Sequence, residues 1–295
     1  MLSLANSVFS TSSVISALAY SCPLILCSIG ALFSEYAGCL ALFLDGLVSF
    51  SAFLFYTFTV TTGSPLAGAV LTCLTAVVVT LAFSAVIEFG KANRFIAAIA
   101  LNLFFGAITS CLSWAIFGTR GVLAGAGVRG NAAGAIAADV FQFSAGTARA
   151  AAVGVTAVFL AMAIIFLRYG RHGLYLRVTG SDAEVLKAKG VNPGNLRTLS
   201  WCLAALYGSL AGILLALRLS SFVPNISSGR GWLALAAVFL GKKKPLRIVA
   251  AVLIFCLADL FAANIQNYLQ DIPSSFLISL PYLVSLLLIL IPERD

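Results

Sequence analysis

Residues 199–247 read LSWCLAALYGSLAGILLALRLSSFVPNISSGRGWLALAAVFLGKKKPLR, and the fold turns on where this stretch loses its apolar character. A helix crossing a hydrocarbon core of about 30 Å needs roughly 20 apolar residues at about 1.5 Å each, and 199–217 meets that length. The next apolar run, 232–240, is nine residues, about 14 Å as a helix and half a bilayer. Between them lie Pro224, Asn225, Ser227, Ser228, Gly229, Arg230 and Gly231, poor material for a lipid-facing helix. Basic loops stay on the cytoplasmic side, so if Lys242, Lys243, Lys244 and Arg247 are inside, the chain leaves along 199–217 and returns before Lys242. One reading is a broken span whose irregular half lines a cavity, where freed backbone groups and a half-helix amino terminus bind polar ligand atoms. Asn225, Ser227 and Ser228 are then candidate path residues. The other reading is an outer loop followed by a short tilted helix.

Similar apolar runs fall at 14–33, 43–60, 66–87, 95–117, 151–167, 246–265 and 276–291. None alternates polar and apolar residues as a membrane barrel strand must, which leaves an all-α fold. The expectation is a polytopic membrane helical bundle of about eight spans plus the broken segment, forming one transmembrane domain over 1–295. Residues 34–45 are a second interruption, flanked by Glu35 and Asp45, that either crosses or re-enters the membrane. Alternating the spans backward from the basic loop puts the amino terminus outside, and residues 119–150 outside as well. No basic residue precedes the first apolar run, which argues against a cleaved signal.

The composition is 61% hydrophobic and 9% charged, too little polar surface for a water-soluble globule of 295 residues. The net charge of +8 does not indicate nucleic acid, because ten of the 18 Lys and Arg lie in 168–197 and 242–247, between apolar runs. Seven cysteines within mostly apolar runs, with no Cys-x-x-Cys, read as small buried residues. The single histidine, His172, excludes a histidine-cluster metal site, and no nucleotide-binding Walker sequence or hydrolase motif is present. Neither an enzyme nor a cofactor is expected. Gly125-Ala-Gly-Val-Arg-Gly130 matches a dinucleotide fingerprint only by accident, lacking any βαβ context, and Gly208-x-x-x-Gly212 reads as a close helix approach.

The one long polar stretch, 168–197, carries helix signals of its own. Ser181-x-x-Glu184 is a capping-box pattern, 183–189 follows as a short helix, and Gly190 is suited to the left-handed position that ends it. Ala183, Val185, Leu186 and Ala188 give that helix an apolar face with nothing in the predicted cytoplasmic portion to cover it. It either docks on a partner or lies in the headgroups, held by Lys187 and Lys189.

The run Gly173-Leu-Tyr-Leu-Arg-Val-Thr-Gly180 through Ala188-Lys-Gly-Val-Asn192 resembles the coupling loop of bacterial ATP-binding-cassette (ABC) importer permeases of the ribose, simple-sugar and nucleoside type. Phe33-Ser-Glu-Tyr-Ala-Gly38 with Leu44-Asp-Gly46, Lys91-Ala-Asn93 with Ala100-Leu-Asn-Leu103, Gly229-Arg-Gly231 through Pro245, and Pro281-Tyr282 resemble further blocks in the same order. The Phe-Ser-Glu opening is similar to the nucleoside branch, with riboflavin importers close to it. The sequence departs from that pattern at Cys39-Leu-Ala-Leu, where Asn is usual, and at Asp45, where Glu is usual. The resemblance implies a permease in the bacterial cytoplasmic (inner) membrane. It would work with a second permease of a different chain, with two ABC ATPase subunits and with an extracytoplasmic substrate-binding lipoprotein. Gly180, Ser181, Ala183, Glu184, Leu186, Ala188, Gly190 and Asn192 would then form the ATPase contact region.

Polar residues inside spans are the default path candidates, since a mid-bilayer charge costs about 2.5–3.5 kcal/mol unless it faces the interior. These are Asp45, Asn102, Asp259 and Asn264, with Gln266 and Asn267 beyond, while Phe104 and Phe105 offer an apolar wall for an aromatic solute. For each Asn or Gln the alternative is a helix-to-helix hydrogen bond, and for each Phe packing or lipid contact. Rival functions are riboflavin or sugar import by the same device, a stand-alone proton-coupled transporter using Asp259 or Asp45, and a purely structural membrane partner.

Overall fold

The computed structural model describes residues 11–124, 145–268, 282–283 and 285–286. The helices are α1 (Thr11–Tyr36), α2 (Leu44–Thr62), α3 (Pro65–Gly90), α4 (Arg94–Phe117), α5 (Ala145–Tyr169), α6 (Arg171–Ser181), α7 (Ala183–Ala188), α8 (Pro193–Leu219), α9 (Arg230–Leu240) and α10 (Pro245–Tyr268). Two short strands, β1 (Leu123–Ala124) and β2 (Ser221–Phe222), pair antiparallel with Leu123 opposite Phe222. Seven of the described helices are long and apolar enough to cross a membrane. The expected eighth run, 276–291, and the Gly125–Gly130 motif fall wholly or largely outside the described residues.

Helix ends follow local chemistry. Gly63 stops α2 in a left-handed turn, its N–H bonded to Thr59 O, and Pro65 opens α3 at a position where its missing N–H costs nothing. Lys91 ends α3 left-handed and the Asn93 side chain caps α4 from Phe95 N–H and Ile96 N–H. The block 91–93 is thus a helix corner, tied by an ion pair between Arg94 and Glu88 at 2.8 Å.

On one outer helix the packing inverts the pattern of a soluble amphipathic helix. On α3 the buried positions are Gly68, Thr72, Ala76, Thr80, Ser84 and Ile87, while Leu66, Val70, Leu74 and Val78 face outward. Small residues every fourth position let helices approach closely where no hydrophobic force separates protein from lipid.

Helix α8 is the axis, packed on α1, α2 and α3. Gly208 receives the Leu44 and Leu47 side chains, and a side chain at Gly212 would collide with the Val48 carbonyl, as the close-approach reading of that motif expects. These contacts rise together along both chains, so α2 runs parallel to α8. The α1 contacts run the other way: Gly30 meets Ala204 and Tyr207, while Cys39 meets Ser200. Helix α2 therefore starts about 22 Å along α8, beside its middle. Residues 37–43 climb to that level from the end of the bundle that carries α6 and α7, called the loop end below.

Candidate functional site

The climbing segment is nearly all buried, and much of its backbone is paired: Gly38 turns it at φ +67°, Cys39 N–H donates to Ser34 O, Ala41 N–H to Ser34 Oγ, and Trp201 Nε1 to Cys39 O at 3.0 Å. It delivers the first turn of α2 to two neighbours. Gly46 N–H donates to Asn102 Oδ1 at 2.6 Å, and a Cβ at Gly46 would strike the Asn102 carbonyl. Asp45 Oδ1 accepts the Ser227 hydroxyl and, at 3.1 Å, the N–H of Gly231 in the first turn of α9. Ser49 Oγ accepts Ser227 N–H at 3.3 Å. Two helices thus begin inside the bundle, joined by one carboxylate placed where the α9 dipole favours negative charge.

Residues 220–229 are the irregular half of the broken span. Ser220, Asn225, Ser228 and Gly229 are all left-handed, a rare conformation for the three that are not glycine. Arg230 holds the turn by donating to Ile226 O at 3.2 Å and Ser227 O at 3.3 Å, and Tyr282 OH donates to Ser228 O at 2.9 Å. Helix α9 then returns to the loop end, where Gly241 lies on Ile248 and Lys243 pairs with Glu35 at 2.9 Å. Starting at Asp45 and covering 11 residues, it spans about 16 Å. That favours the half-span reading over an outer loop followed by a short tilted helix.

Above Asp45 lies a cavity of about 410 Å³, lined by Asp45, Gly46, Ser49, Asn102, Leu103, Gly106, Ala107, Thr109, Ser110, Ser113, Arg120, Phe222, Pro224 and Asn225. Its floor is Asp45 and Asn102; its far end, by Arg120 and Asn225, is away from the loop end. A closed aromatic stack runs beside this cavity without lining it, with ring centroids of Phe50 and Phe105 5.1 Å apart, Phe105 and Phe43 6.4 Å, and Phe43 and Trp201 5.2 Å.

Of the expected path residues, Asp45, Asn102 and Asn225 meet at this cavity. Ser227 stands behind Asp45, and Ser228 Oγ turns back to Asn225 O at 3.1 Å. Neither expected aromatic lines this cavity: Phe105 is fully buried in the aromatic stack, and Phe104 is half-exposed on another face of α4, against Phe83. Asp259 lies elsewhere, accepting Tyr20 OH at 3.4 Å; Arg230 Nη2 donates to that hydroxyl at 3.0 Å, and the Arg218 guanidinium lies 4.3 Å from the Tyr20 ring centroid. The Asn264 side chain falls outside the described residues. Sequence reading missed Ser49, Thr109, Ser110, Ser113 and Arg120; the spacing of Asn102, Gly106, Ser110 and Ser113 on one helical face was the available signal.

At the loop end, Gly180 packs where no side chain fits, its Cα against Gly38 and Tyr36, and the Arg177 guanidinium lies 5.2 Å from the Tyr36 ring centroid. The capping box does not form. Ser181 is still helical, its hydroxyl returned to Arg177 O and Val178 O, and Asp182 caps α7 by accepting Glu184 N–H at 2.9 Å. Gly190 is left-handed, at φ +75°, with Gly190 N–H to Lys187 O and Val191 N–H to Leu186 O, a Schellman ending. Asn192 caps α8 through Gly194 N–H. The uncovered apolar face is also corrected: Leu186 is buried against this chain's own helices and Ala183 half-buried, while Glu184, Val185, Lys187 and Ala188 stay exposed.

A multi-pass bundle with a broken span and a cavity at its break is an architecture suited to a membrane permease. The family model for the permease component of the branched-chain amino acid transport system matches residues 13–291, and the chain belongs to that family. It is 26% identical to the guanosine ABC transporter permease NupQ of Bacillus subtilis, over 92% of this chain and 88% of that protein. It is 26% identical to the nucleoside ABC transporter permease NupC of Lactococcus lactis, over 92% and 89%. The ribose import permease RbsC of Escherichia coli is 37% identical over 28% of this chain and 26% of that protein. Among solved structures, PsaBC from Streptococcus pneumoniae in complex with Fab shares the fold, with a TM-score of 0.59 at 15% identity, covering 99% of this chain and 97% of that one.

Proposed function

We propose that this chain is the permease subunit of an ABC importer for a nucleoside-like solute in a bacterial cytoplasmic membrane. It pairs with a second permease, and ATPase subunits dock on the exposed side of α7. An extracytoplasmic binding lipoprotein delivers solute at the Arg120 end of the cavity. The observation that carries this reading is the polar cavity ending at Asp45 and Asn102, within the usual volume for a small-molecule site and lined by hydroxyl and amide groups that suit a sugar or base. Likeness to permeases named for nucleosides runs over nine-tenths of the chain, whereas the ribose likeness is confined to about a quarter. A stand-alone proton-coupled transporter is less well supported, because Asp259 does not line the cavity and the likeness over nine-tenths of the chain is to ABC permeases.

The test is uptake of radiolabelled guanosine, riboflavin and ribose by cells carrying the whole importer, with and without this chain. Guanosine uptake that disappears with the chain supports the proposal. Guanosine uptake that does not depend on the chain, with loss of riboflavin or ribose uptake instead, contradicts it.

A further inference from the structure

We propose that Asp45 is a charge filter: its carboxylate at the cavity floor admits uncharged solutes and rejects their phosphorylated forms. The inference rests on the cavity being the solute path, as proposed above, but not on which uncharged solute is carried.

The starting observation is how the carboxylate is used. Both of its hydrogen bonds within the described residues go to Oδ1, from the Ser227 hydroxyl and Gly231 N–H. Asp45 nonetheless lines the cavity, and none of its oxygens is a buried atom lacking a partner. Oδ1 therefore anchors the start of α9 while the rest of the group presents a fixed negative charge and an acceptor to whatever reaches the floor. A half-helix amino terminus inside a transporter is commonly the seat of an anionic solute group. Here that position is already taken by a carboxylate from the chain itself, so the floor offers acceptors to hydroxyl and N–H donors and repels anions.

Arg120, the one cation lining the cavity among the described residues, is at the other end. The chain turns back after α4, with Ser113 Oγ donating to Thr119 O at 2.8 Å, so Arg120 stands near the level of Ser113, about 16 Å along the helix from Asn102, and a phosphate resting by Arg120 is not at the floor. To pass, every part of the solute must go by Asp45. A phosphate carries about −1.5 to −2 at neutral pH, and its repulsion by a carboxylate in a partly water-excluded site is worth on the order of tenfold in affinity or more.

The test uses the permease–ATPase complex in lipid nanodiscs without the binding protein, so that selection by that protein does not enter. The thermal midpoint of this chain is followed against three pairs: guanosine and guanosine monophosphate, riboflavin and flavin mononucleotide, ribose and ribose phosphate. In wild type the uncharged member of one pair is expected to stabilise the chain at concentrations about tenfold or more below its phosphorylated partner. Asp45→Asn keeps an oxygen for Ser227 and Gly231 and removes the charge, and should narrow that gap to about threefold or less; Asp45→Glu should retain it. If the responding pair is riboflavin or ribose, the filter stands and the nucleoside reading falls. Equal response to both members of a pair in wild type overturns the filter, even if neither variant folds. So does a folded Asp45→Asn chain that keeps the full gap. No response in any pair removes the cavity as a solute site, and the filter with it.

Discussion

Asp45 and Gly231 touch backbone to backbone: the Asp45 carboxylate takes the Gly231 N–H at 3.1 Å, and a Cβ on Gly231 would fall 2.6 Å from Asp45 Cα. Only glycine fits, because two helix starts share this point. Gly231→Ala must push α9 off α2, and such overpacking costs about 1–3 kcal/mol. The thermal midpoint in detergent should fall by several degrees. Gly154→Ala, at a helical site with nothing within 4 Å, should leave it unchanged or raise it slightly.

The buried side of α7 separates docking from folding. Leu186 is 1% exposed and Val185 46%. Leu186→Asp places a charge in the core and is expected to cost several kcal/mol and lower the yield of folded chain. Val185→Asp should leave the midpoint within about 0.5 kcal/mol of wild type and release a co-purified ATPase. Retention of the ATPase by a well-folded Val185→Asp chain would count against α7 as the docking surface.

Glu35 and Lys243 join the end of α1 to the loop after α9 across solvent, with Lys243 47% exposed. A pair of this kind contributes about 0–1 kcal/mol. Lys243→Ala should shift the midpoint only slightly in low salt and less still near 1 M salt, where the Debye length falls to about 3 Å. A large, salt-independent loss would mean that the lysine stem, not the charge, holds the contact.

Cavity access can be mapped with cysteines in a background lacking the native ones. Ser110→Cys and Asn225→Cys should react with a membrane-impermeant thiol reagent added from the face opposite α6 and α7. Phe105→Cys, in the buried stack, should react at least about tenfold more slowly, since its thiol lacks water. Equal labelling from the loop face would reverse the orientation.

Much of this architecture was legible in the residues themselves. The half-length of 232–240 and the polar stretch before it announce the broken span, because lipid leaves an irregular backbone nowhere else to go. Gly190 and Asn192 could be placed because turns and caps are set by neighbours in sequence. The capping residue was misplaced by one position, since Ser181 and Asp182 both suit the role and only the continuation of α6 through Ser181 decides between them. Burial of Leu186 and Phe105 depends on helices far away in the chain, which periodicity over a few residues does not report. The same holds for Asp259, whose place beside Tyr20, away from the cavity lining, is set by a contact 239 residues apart in sequence.

The most direct test of the central claim, that solute passes through the cavity ending at Asp45 and Asn102, fills that cavity without touching the core. Ser110 is exposed on its wall, so Ser110→Trp should fold and assemble normally. Measured in proteoliposomes with the complete importer, ATP-driven guanosine uptake is predicted to fall about tenfold or more while the thermal midpoint and ATPase association hold. Uptake at the wild-type rate through a correctly assembled Ser110→Trp complex would contradict the account.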